Sequence, residues 1–211
     1  MRTLTLYVDF ISPYSYFAVK RLRELPPDVR IEPRPVLFAA LLQHFGHKGP
    51  AEIDSKRRYA YRSCIWSARQ LGIPFRFPAS HPFNSLHHLR LALAAGPTVE
   101  NVTRIFEAIW TTGAEAGDPA AFADLARSLG VERDRLGLPE VKDGLRRNTE
   151  EAVRRGVFGV PTFEVEGELF WGADAIGFLN AFLADPQLLH DEEMRRADAL
   201  PVGASRQGGG A

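Results

Sequence analysis

Two serines near the start of the chain occupy positions from which a side chain could act on a ligand. Ser12 and Ser15 are separated by Pro13 and Tyr14. Serine is favoured as a helix N-cap and proline at the first helical position, so a helix is predicted to begin at Pro13. A helix N-terminus stabilises an anion, and a serine hydroxyl can donate a hydrogen bond to a thiolate. Ser12 is therefore either a simple N-cap, which this segment alone favours, or the group that holds a ligand's sulfur.

The absence of cysteine from this turn limits the chemistry that the chain itself could do. In thiol oxidoreductases the same turn holds two cysteines, and the first of them has a lowered pKa. With Ser12 and Ser15 at these positions, the chain cannot form a mixed disulfide there. Cys64 is the one cysteine of the chain. We therefore expect no internal disulfide, a reducing cytoplasmic setting and a buried structural thiol.

A second motif lies far along the chain, at residues 158–163, and reads Phe-Gly-Val-Pro-Thr-Phe. Its Val160–Pro161 bond is a candidate cis peptide, because proline lowers the cost of the cis isomer. Proline has no N–H and interrupts strand pairing, so the backbone of Val160 could pair with an extended peptide ligand. A plain turn at the edge of a sheet is the alternative.

Apolar periodicity indicates the elements that position these motifs. Strands are predicted over 4–8, over 29–36 and as a hairpin over 162–166 and 168–171. Helices are predicted from Pro13 to before Pro26 and over 56–71, 86–95, 99–110, 120–129, 140–155 and 173–184. The order is β-α-β, a block of helices, then β-β-α. This is an α/β thioredoxin-like scheme with an all-helical domain inserted between its two halves.

Domain boundaries follow from that order of elements. Residues 1–36 plus 156–190 form the expected thioredoxin-like domain, and residues 37–155 form the inserted helical domain. The remaining residues, 191–211, are expected to be a flexible C-terminal tail that is disordered in its Gly-rich end from Gly203.

Composition narrows the class of partner. The chain has 211 residues, 45% of them apolar, and 26 basic residues balance 26 acidic ones. This composition favours a globular protein that acts on a small molecule, and a net charge of zero gives no electrostatic attraction to nucleic acid or to an anionic membrane. No segment approaches the roughly 20 apolar residues of a membrane span. Adjacent His87 and His88 diverge on a helix without a third ligand, so no metal site is expected. Trp66 and Trp110 are expected in the core.

Three motifs together resemble the 2-hydroxychromene-2-carboxylate isomerases and kappa-class glutathione transferases. They are Ser-Pro-Tyr-Ser at 12–15, Phe-Gly-Val-Pro-Thr-Phe at 158–163 and Phe-Trp-Gly-Ala-Asp at 170–174. Their order and spacing match that family, and the resemblance covers about residues 4–183. It implies that glutathione is the cofactor.

The resemblance also implies how glutathione is held. Ser12 would be the catalytic residue and lie beside the sulfur. The backbone of Val160 and Pro161 would hold the cysteinyl part, and Ala173 and Asp174 would hold the γ-glutamyl end. An acid can receive the ligand's ammonium group, and N–H groups at a helix start can receive its carboxylate. A helix-start acid favoured by the dipole explains Asp174 equally well.

Within the insertion, His47 and Lys56 resemble the family's Gly-Asn-Lys loop and Lys-x-x-Tyr helix. Lys56 would offer a cation to the glycyl carboxylate of glutathione or to a substrate carboxylate, although a solvated helix face also explains it. His47 stands where the family has asparagine, so its hydrogen bonding could depend on pH. Tyr14, Phe83 and Asn84 complete the expected substrate-binding set. Asn84 could instead cap the following helix.

The implied activity is glutathione-dependent isomerisation of an aromatic or unsaturated 2-oxo acid, of the 2-hydroxychromene-2-carboxylate type. Reversible addition of the glutathione thiolate to a C=C bond would permit rotation about that bond. A kappa-like transferase that conjugates electrophiles is the alternative, and a noncatalytic thioredoxin-like binding module is a further one. The family resemblance also implies a cytoplasmic homodimer engaged in aromatic compound catabolism.

Overall fold

A four-stranded sheet carries both sequence motifs. The computed structural model of the chain describes residues 1–204, so residues 205–211 of the expected tail lie outside the described residues. The strands are β1 (Arg2–Val8), β2 (Val29–Pro35), β3 (Thr162–Val165) and β4 (Glu168–Trp171). Their order is β2-β1-β3-β4; β1 runs parallel to β2 and antiparallel to β3, and β3 pairs antiparallel with β4. The expected thioredoxin-like scheme is confirmed.

In addition to these strands, the described residues form nine α-helices. They are α1 (Pro13–Lys20), α2 (Phe38–His44), α3 (Asp54–Leu71), α4 (Leu86–Ala95), α5 (Val99–Trp110), α6 (Pro119–Ser128), α7 (Pro139–Arg154), α8 (Ile176–Ala184) and α9 (Glu192–Asp198). Helices α4 and α5 have the predicted bounds. Helix α1 is shorter than predicted, because a 3-10 turn over Leu22–Glu24 follows it. Helix α8 begins later than predicted, because a 3-10 turn over Ala173–Ala175 precedes it.

Two of the helices, α2 and α9, were missing from the prediction. Helix α2 has no side-chain cap of its own at Leu37. Its first N–H, from Phe38, instead donates to the Asp9 carboxylate at 2.9 Å, 29 positions away in sequence. Helix α9 has a local cap, since Asp191 accepts a hydrogen bond from the Met194 N–H at 2.8 Å. Part of the segment expected to be a flexible tail is therefore helical.

The turn between β3 and β4 is set by two residues with positive φ. Glu166 has φ of +54° and Gly167 has φ of +88°. A two-residue hairpin turn with both φ values positive matches the right-handed twist of its strands. Strand β3 consequently ends at Val165, one residue before the predicted end.

The bulkiest side chains of the core are aromatic. The largest fully buried ones include Trp110, Tyr7, Tyr16, Phe10, Phe17 and Phe106. Trp110 is in the core as predicted, but the prediction for Trp66 is wrong, because its side chain is 62% exposed. Helix α3 buries only Cys64 and Ala68, which are one helical turn apart, and Trp66 lies off this narrow stripe.

The described chain divides into two compact units, Met1–Ile176 and the residues from Gly177 onward. The expected separation of a thioredoxin-like domain from a helical domain at residues 36 and 155 stays a prediction. Among the described residues, every helix is too short or too polar to cross a membrane.

His88 on α4 is a buried histidine without a charge partner. Its side chain is 3% exposed, and the rings of Phe83 and Phe122 lie 6.1 and 5.2 Å from its own. Burial, helped by the charge of His87, lowers the pKa of His88 from 6.5 to about 4. The imidazole is therefore neutral in the folded protein at neutral pH.

This burial predicts a specific acid sensitivity. In the unfolded chain His88 has its ordinary pKa of 6.5. As the pH falls towards about 4, the unfolded chain therefore binds more protons than the folded protein does. Between about pH 7 and about pH 5, we expect the free energy of unfolding to fall by about 2 kcal/mol more in the wild type than in His88→Leu. Urea unfolding at both pH values measures this difference. His87→Leu, at an exposed neighbouring site, is the control and should show most of the wild-type decrease in the free energy of unfolding. Equal decreases in the wild type and in His88→Leu would contradict the prediction.

Candidate active site

Ser12 begins α1 as an N-cap. Its hydroxyl accepts a hydrogen bond from the Ser15 N–H at 3.2 Å, and its own N–H donates to the Asp9 carbonyl at 3.0 Å. Pro13 has no N–H to satisfy. No backbone hydrogen bond outside the helices and strands of the described residues uses the Tyr14 N–H. The positive end of the α1 dipole is therefore available to an anion beside Ser12.

The Val160 backbone lies against the same hydroxyl. The Val160–Pro161 peptide is cis, as predicted, and the Ser12 hydroxyl donates to the Val160 carbonyl at 3.4 Å. A distance of 3.4 Å is at the long limit for an O–H···O bond, so this bond is weak and open to exchange. The Val160 N–H takes part in none of the turn and loop hydrogen bonds among the described residues. Residues 148 positions apart in sequence thus form one small polar site.

Ser15 takes the position of the second redox cysteine but makes no use of its hydroxyl. Its side chain is fully buried, and its Oγ has no hydrogen-bond partner among the described residues. An exposed thiol is also missing nearby, since Cys64, the one cysteine of the chain, is buried and free as expected. Sulfur chemistry at this site would have to use a sulfur that a ligand brings.

Two hydrogen bonds hold residues 172–174, one to the backbone of Pro161 and one from the Arg21 side chain. The Gly172 N–H donates to the Pro161 carbonyl at 2.9 Å, and Arg21 at the end of α1 donates to the Ala173 carbonyl at 2.7 Å. Gly172 has φ of +103°, a conformation that other residues rarely adopt, and a Cβ there would collide with the Asp174 carboxylate, so glycine is favoured. The Asp174 side chain is exposed and can receive a ligand's ammonium group.

Tyr14 is hydrogen-bonded to α3 and feels the charge of Asp174 in this turn. Its hydroxyl donates to the Cys64 thiol, and its pKa is raised by burial first, then by Cys64, Tyr59 and Asp174. Burial raises the pKa of Cys64 to about 11, although the hydrogen bond from Tyr14 opposes that shift. Tyr14, expected to bind substrate, therefore lies between α3 and the acid expected to bind glutathione, and Cys64 stays a thiol at neutral pH.

His47 and Lys56 are not joined to this cluster by any contact. Both side chains are exposed, and neither forms a hydrogen bond or ion pair with the described residues. His47 lies in the loop after α2, where its ring is 6.3 Å from that of Phe45. Lys56 lies in the first turn of α3. Their expected roles towards glutathione stay predictions.

Phe83 and Asn84 lie just before α4. Phe83 is half-buried among aromatic rings, 6.0 Å from His81 and 6.3 Å from Trp110. Asn84 accepts a hydrogen bond from the Leu86 N–H at 3.0 Å, so it caps the first turn of α4, which is the alternative that its sequence position offered. Its role towards a substrate stays a prediction.

Two long-range donors that the sequence prediction missed hold the loop before Ser12. Trp110 Nε1 donates to the Phe10 carbonyl at 3.0 Å, and His81 Nε2 lies 2.8 Å from the Ile11 carbonyl. A carbonyl only accepts, so His81 Nε2 carries a proton. The Tyr61 hydroxyl donates to the His81 carbonyl at 2.7 Å and lies 2.6 Å from His81 Nδ1. Burial lowers the pKa of His81, which keeps this arrangement neutral.

Asp9 is the third group that the sequence prediction missed. Its carboxylate is 1% exposed and accepts hydrogen bonds from the Ile11 N–H at 3.1 Å and the Phe38 N–H at 2.9 Å. Ser85 also donates to it, but burial outweighs these bonds and raises the pKa of Asp9. An acid directly after a buried strand is the signal that could have found it. Asp9 positions the Ser12 loop through these hydrogen bonds.

Comparison with known proteins agrees with this geometry. A family model described as a DSBA-like thioredoxin domain matches residues 3–184. A 2-hydroxychromene-2-carboxylate isomerase of Sphingobium xenophagum is 30% identical over 193 residues, covering 87% of this chain and 99% of the relative. Glutathione s-transferase kappa 2 of Caenorhabditis elegans is 29% identical over 210 residues, covering 88% of this chain and 93% of the relative.

A solved structure gives the same result at the level of the fold. A 2-hydroxychromene-2-carboxylate isomerase structure matches with a TM-score of 0.77 at 26% identity, covering 94% of this chain and 100% of that one. These relatives are named as isomerases and transferases. The chain therefore belongs to the DSBA-like thioredoxin domain family and, within it, to the group of 2-hydroxychromene-2-carboxylate isomerases and kappa-class glutathione transferases.

Proposed function

We propose that this protein is a glutathione-dependent isomerase of an aromatic or unsaturated 2-oxo acid of the 2-hydroxychromene-2-carboxylate type, acting in aromatic compound catabolism. One observation carries the proposal: a serine hydroxyl, not a thiol, lies at the N-terminus of α1 against the carbonyl of Val160. Such a site can hold a thiolate but cannot exchange a disulfide with it. Isomerases of this type among the relatives support the reaction class.

The residues of the site fit glutathione part by part. The unused Val160 N–H and its weakly bonded carbonyl suit the extended cysteinyl backbone, as in strand addition. The exposed Asp174 carboxylate suits the ammonium group of the γ-glutamyl end, and the backbone at Ala173 lies beside it. Lys56, free of any ion pair among the described residues, suits a carboxylate of glutathione or of the substrate.

When bound, glutathione would supply a thiolate that adds reversibly to a C=C bond and so permits rotation about it. Ser12 would release the Val160 carbonyl and donate a hydrogen bond from its hydroxyl to the thiolate, and the α1 dipole would favour the negative charge. Lys56, with His47 or Asn84, would hold the substrate's carboxylate or developing enolate. Tyr14 and Phe83 would line the space for the substrate's aromatic part.

A kappa-like transferase that releases a glutathione conjugate is the second candidate, and the kappa-class relatives favour it. The same thiolate site would serve both reactions. Mixing the protein with glutathione and either a chromene carboxylate or a model electrophile separates them: the isomerase regenerates free glutathione, whereas the transferase consumes it. A noncatalytic binding module would show no turnover with either.

Replacing Ser12 tests the proposal directly. In Ser12→Ala, we expect turnover of 2-hydroxychromene-2-carboxylate to fall by about 100-fold or more, because a donor to the developing charge is lost. Calorimetric affinity for glutathione should change by only a few fold, and the thiolate ultraviolet absorbance of the bound ligand near neutral pH should disappear.

Thr98→Ala is the matched control for that variant. It also removes a hydroxyl that caps a helix, since Thr98 accepts from the Asn101 N–H at 3.1 Å at the start of α5. It should cost similar stability, about 1 kcal/mol, and leave turnover unchanged. Full turnover in Ser12→Ala, or wild-type turnover without glutathione, would overturn the mechanism.

Restoring a cysteine at this turn should convert the site to thiol exchange. In Ser12→Cys, the helix N-terminus should lower the thiol pKa, so the thiolate attacks glutathione disulfide, forms a mixed disulfide and releases one glutathione thiolate. Intact-mass analysis should show one glutathione adduct per chain. The wild type is the control and should show none, because the pKa of its buried Cys64 is raised to about 11. An adduct of equal yield in the wild type would count against the assignment.

We further propose a cytoplasmic homodimer. The free Cys64 suits a reducing compartment. Tyr59 and Trp66 on α3 are 75% and 62% exposed, and Ile65 is also exposed, which is an apolar surface of the kind that a subunit interface covers. Light scattering should give about twice the 23.5 kDa chain mass for the wild type and the chain mass for Trp66→Glu. A monomeric wild type would refute this part.

A further inference from the structure

A cavity of about 640 Å³ lies among α4, α6, α7 and the 3-10 turn Arg133–Gly137. Its volume is in the range of small-molecule sites, about 300–1,000 Å³. Neither Ser12 nor Val160 lines it, and of the residues expected to bind substrate only Asn84 does. The proposed glutathione chemistry gives this cavity no role.

The charged side chains that line the cavity are mostly cations without partners. Arg90, Arg133 and Lys142 line it and form no ion pair with any described residue. Arg127 also lines it but is paired with Asp124 at 3.0 Å. Glu132 is the one acid in the lining, so unpaired positive charge exceeds negative charge there.

Arg90 is the cation in this lining that most needs an anionic partner. Its side chain is half-buried, and its Nε is buried without a hydrogen-bond partner among the described residues. An N–H of a charged group that is buried without a hydrogen-bond partner is unfavourable, and an anion that accepts from it removes that cost. An anionic ligand in the cavity would supply that partner.

The rest of the lining is apolar and includes an aromatic ring. Phe122, Ala126, Val131 and Leu136 form this part of the wall. The Phe122 ring meets the His88 ring edge-on at 5.2 Å, and His88 Nδ1 is buried without a hydrogen-bond partner among the described residues. His88 is neutral at neutral pH and contributes no charge. A ligand with a flat apolar body could pack on this wall.

We propose that this cavity binds a small aromatic carboxylate at a site separate from Ser12, with the carboxylate towards Arg90, Arg133 and Lys142 and the ring against Phe122. The inference goes beyond the proposed function, because the cavity shares neither Ser12 nor Val160 with the thiolate site and needs no glutathione. Its failure would therefore leave the proposed isomerase intact, and failure of the isomerase would leave this site intact.

The test uses 2-hydroxybenzoate as the probe, titrated into the full chain by calorimetry without glutathione at constant ionic strength. We expect one site per chain. Amide shifts in nuclear magnetic resonance spectra should change at residues 84–90 and 122–137 and not at Ser12. 2-Hydroxybenzamide, the neutral analogue, should bind at least tenfold more weakly, because it offers no charge to the cations.

A pair of double variants separates the cavity from general surface charge. Arg133→Met with Lys142→Met should weaken 2-hydroxybenzoate binding at least tenfold. Arg135→Met with Arg147→Met is the matched control, since both side chains are exposed, neither lines the cavity, and the charge change is the same. Thermal unfolding should confirm that both double variants are folded.

Three results would overturn the proposal. The first is no saturable binding of 2-hydroxybenzoate to the folded wild type. The second is equal weakening by the two double variants, which would mean that only long-range charge matters. The third is inorganic phosphate binding as tightly as 2-hydroxybenzoate, which would show a simple anion site and refute the aromatic part.

Discussion

The buried carboxylate of Asp9 is the constraint on which the arrangement of the candidate site depends. A buried carboxylate must have its oxygens hydrogen-bonded, and here the donors come from three separate parts of the chain. Ile11 N–H belongs to the loop before Ser12, Phe38 N–H begins α2, and Ser85 precedes α4. One side chain at the end of β1 thus fixes the start of two helices and the course of the loop that presents Ser12.

The same loop is held from its other side by groups that belong to the helical part of the chain. Trp110 and His81 donate to two successive carbonyls, those of Phe10 and Ile11. Backbone groups in a buried loop need partners, and a loop cannot supply enough of them itself. Trp110 on α5 and His81 in the loop before α4 therefore complete the hydrogen bonding of the segment that positions Ser12.

Local signals in the sequence predicted most of the fold and the backbone features at Ser12 and Pro161. The N-cap at Ser12 and the cis peptide at Pro161 depend on neighbouring residues, and both are present. What failed depends on distant partners. Helix α2 is capped from Asp9, and the exposure of Trp66 depends on how little of α3 the core covers. Periodicity within one segment contains no information on either point.

The expected site residues also fall into two groups, those held by hydrogen bonds within the protein and those with exposed, unbonded side chains. Ser12, Val160 and the turn at Asp174 are connected by hydrogen bonds that involve backbone groups, from the Ser12 hydroxyl to the Val160 carbonyl and from the Gly172 N–H to the Pro161 carbonyl. His47 and Lys56 have exposed side chains, and neither side chain forms a hydrogen bond or ion pair with the described residues. Long side chains of this kind become ordered when the attraction of a ligand's charge offsets the conformational entropy that the side chain loses. Sequence motifs could propose such residues, but only a bound ligand would define their geometry.

The indole of Trp110 has a consequence for how this protein can be observed. It is fully buried, stacked on Phe75 at 5.6 Å, and its N–H is bound to the loop that precedes Ser12. Trp66 and Trp171 are exposed to solvent. The emission of a buried indole differs in wavelength from that of exposed ones, so a displacement of the loop would register in one spectral component. The protein thus contains its own fluorescent reporter of the state of its candidate site.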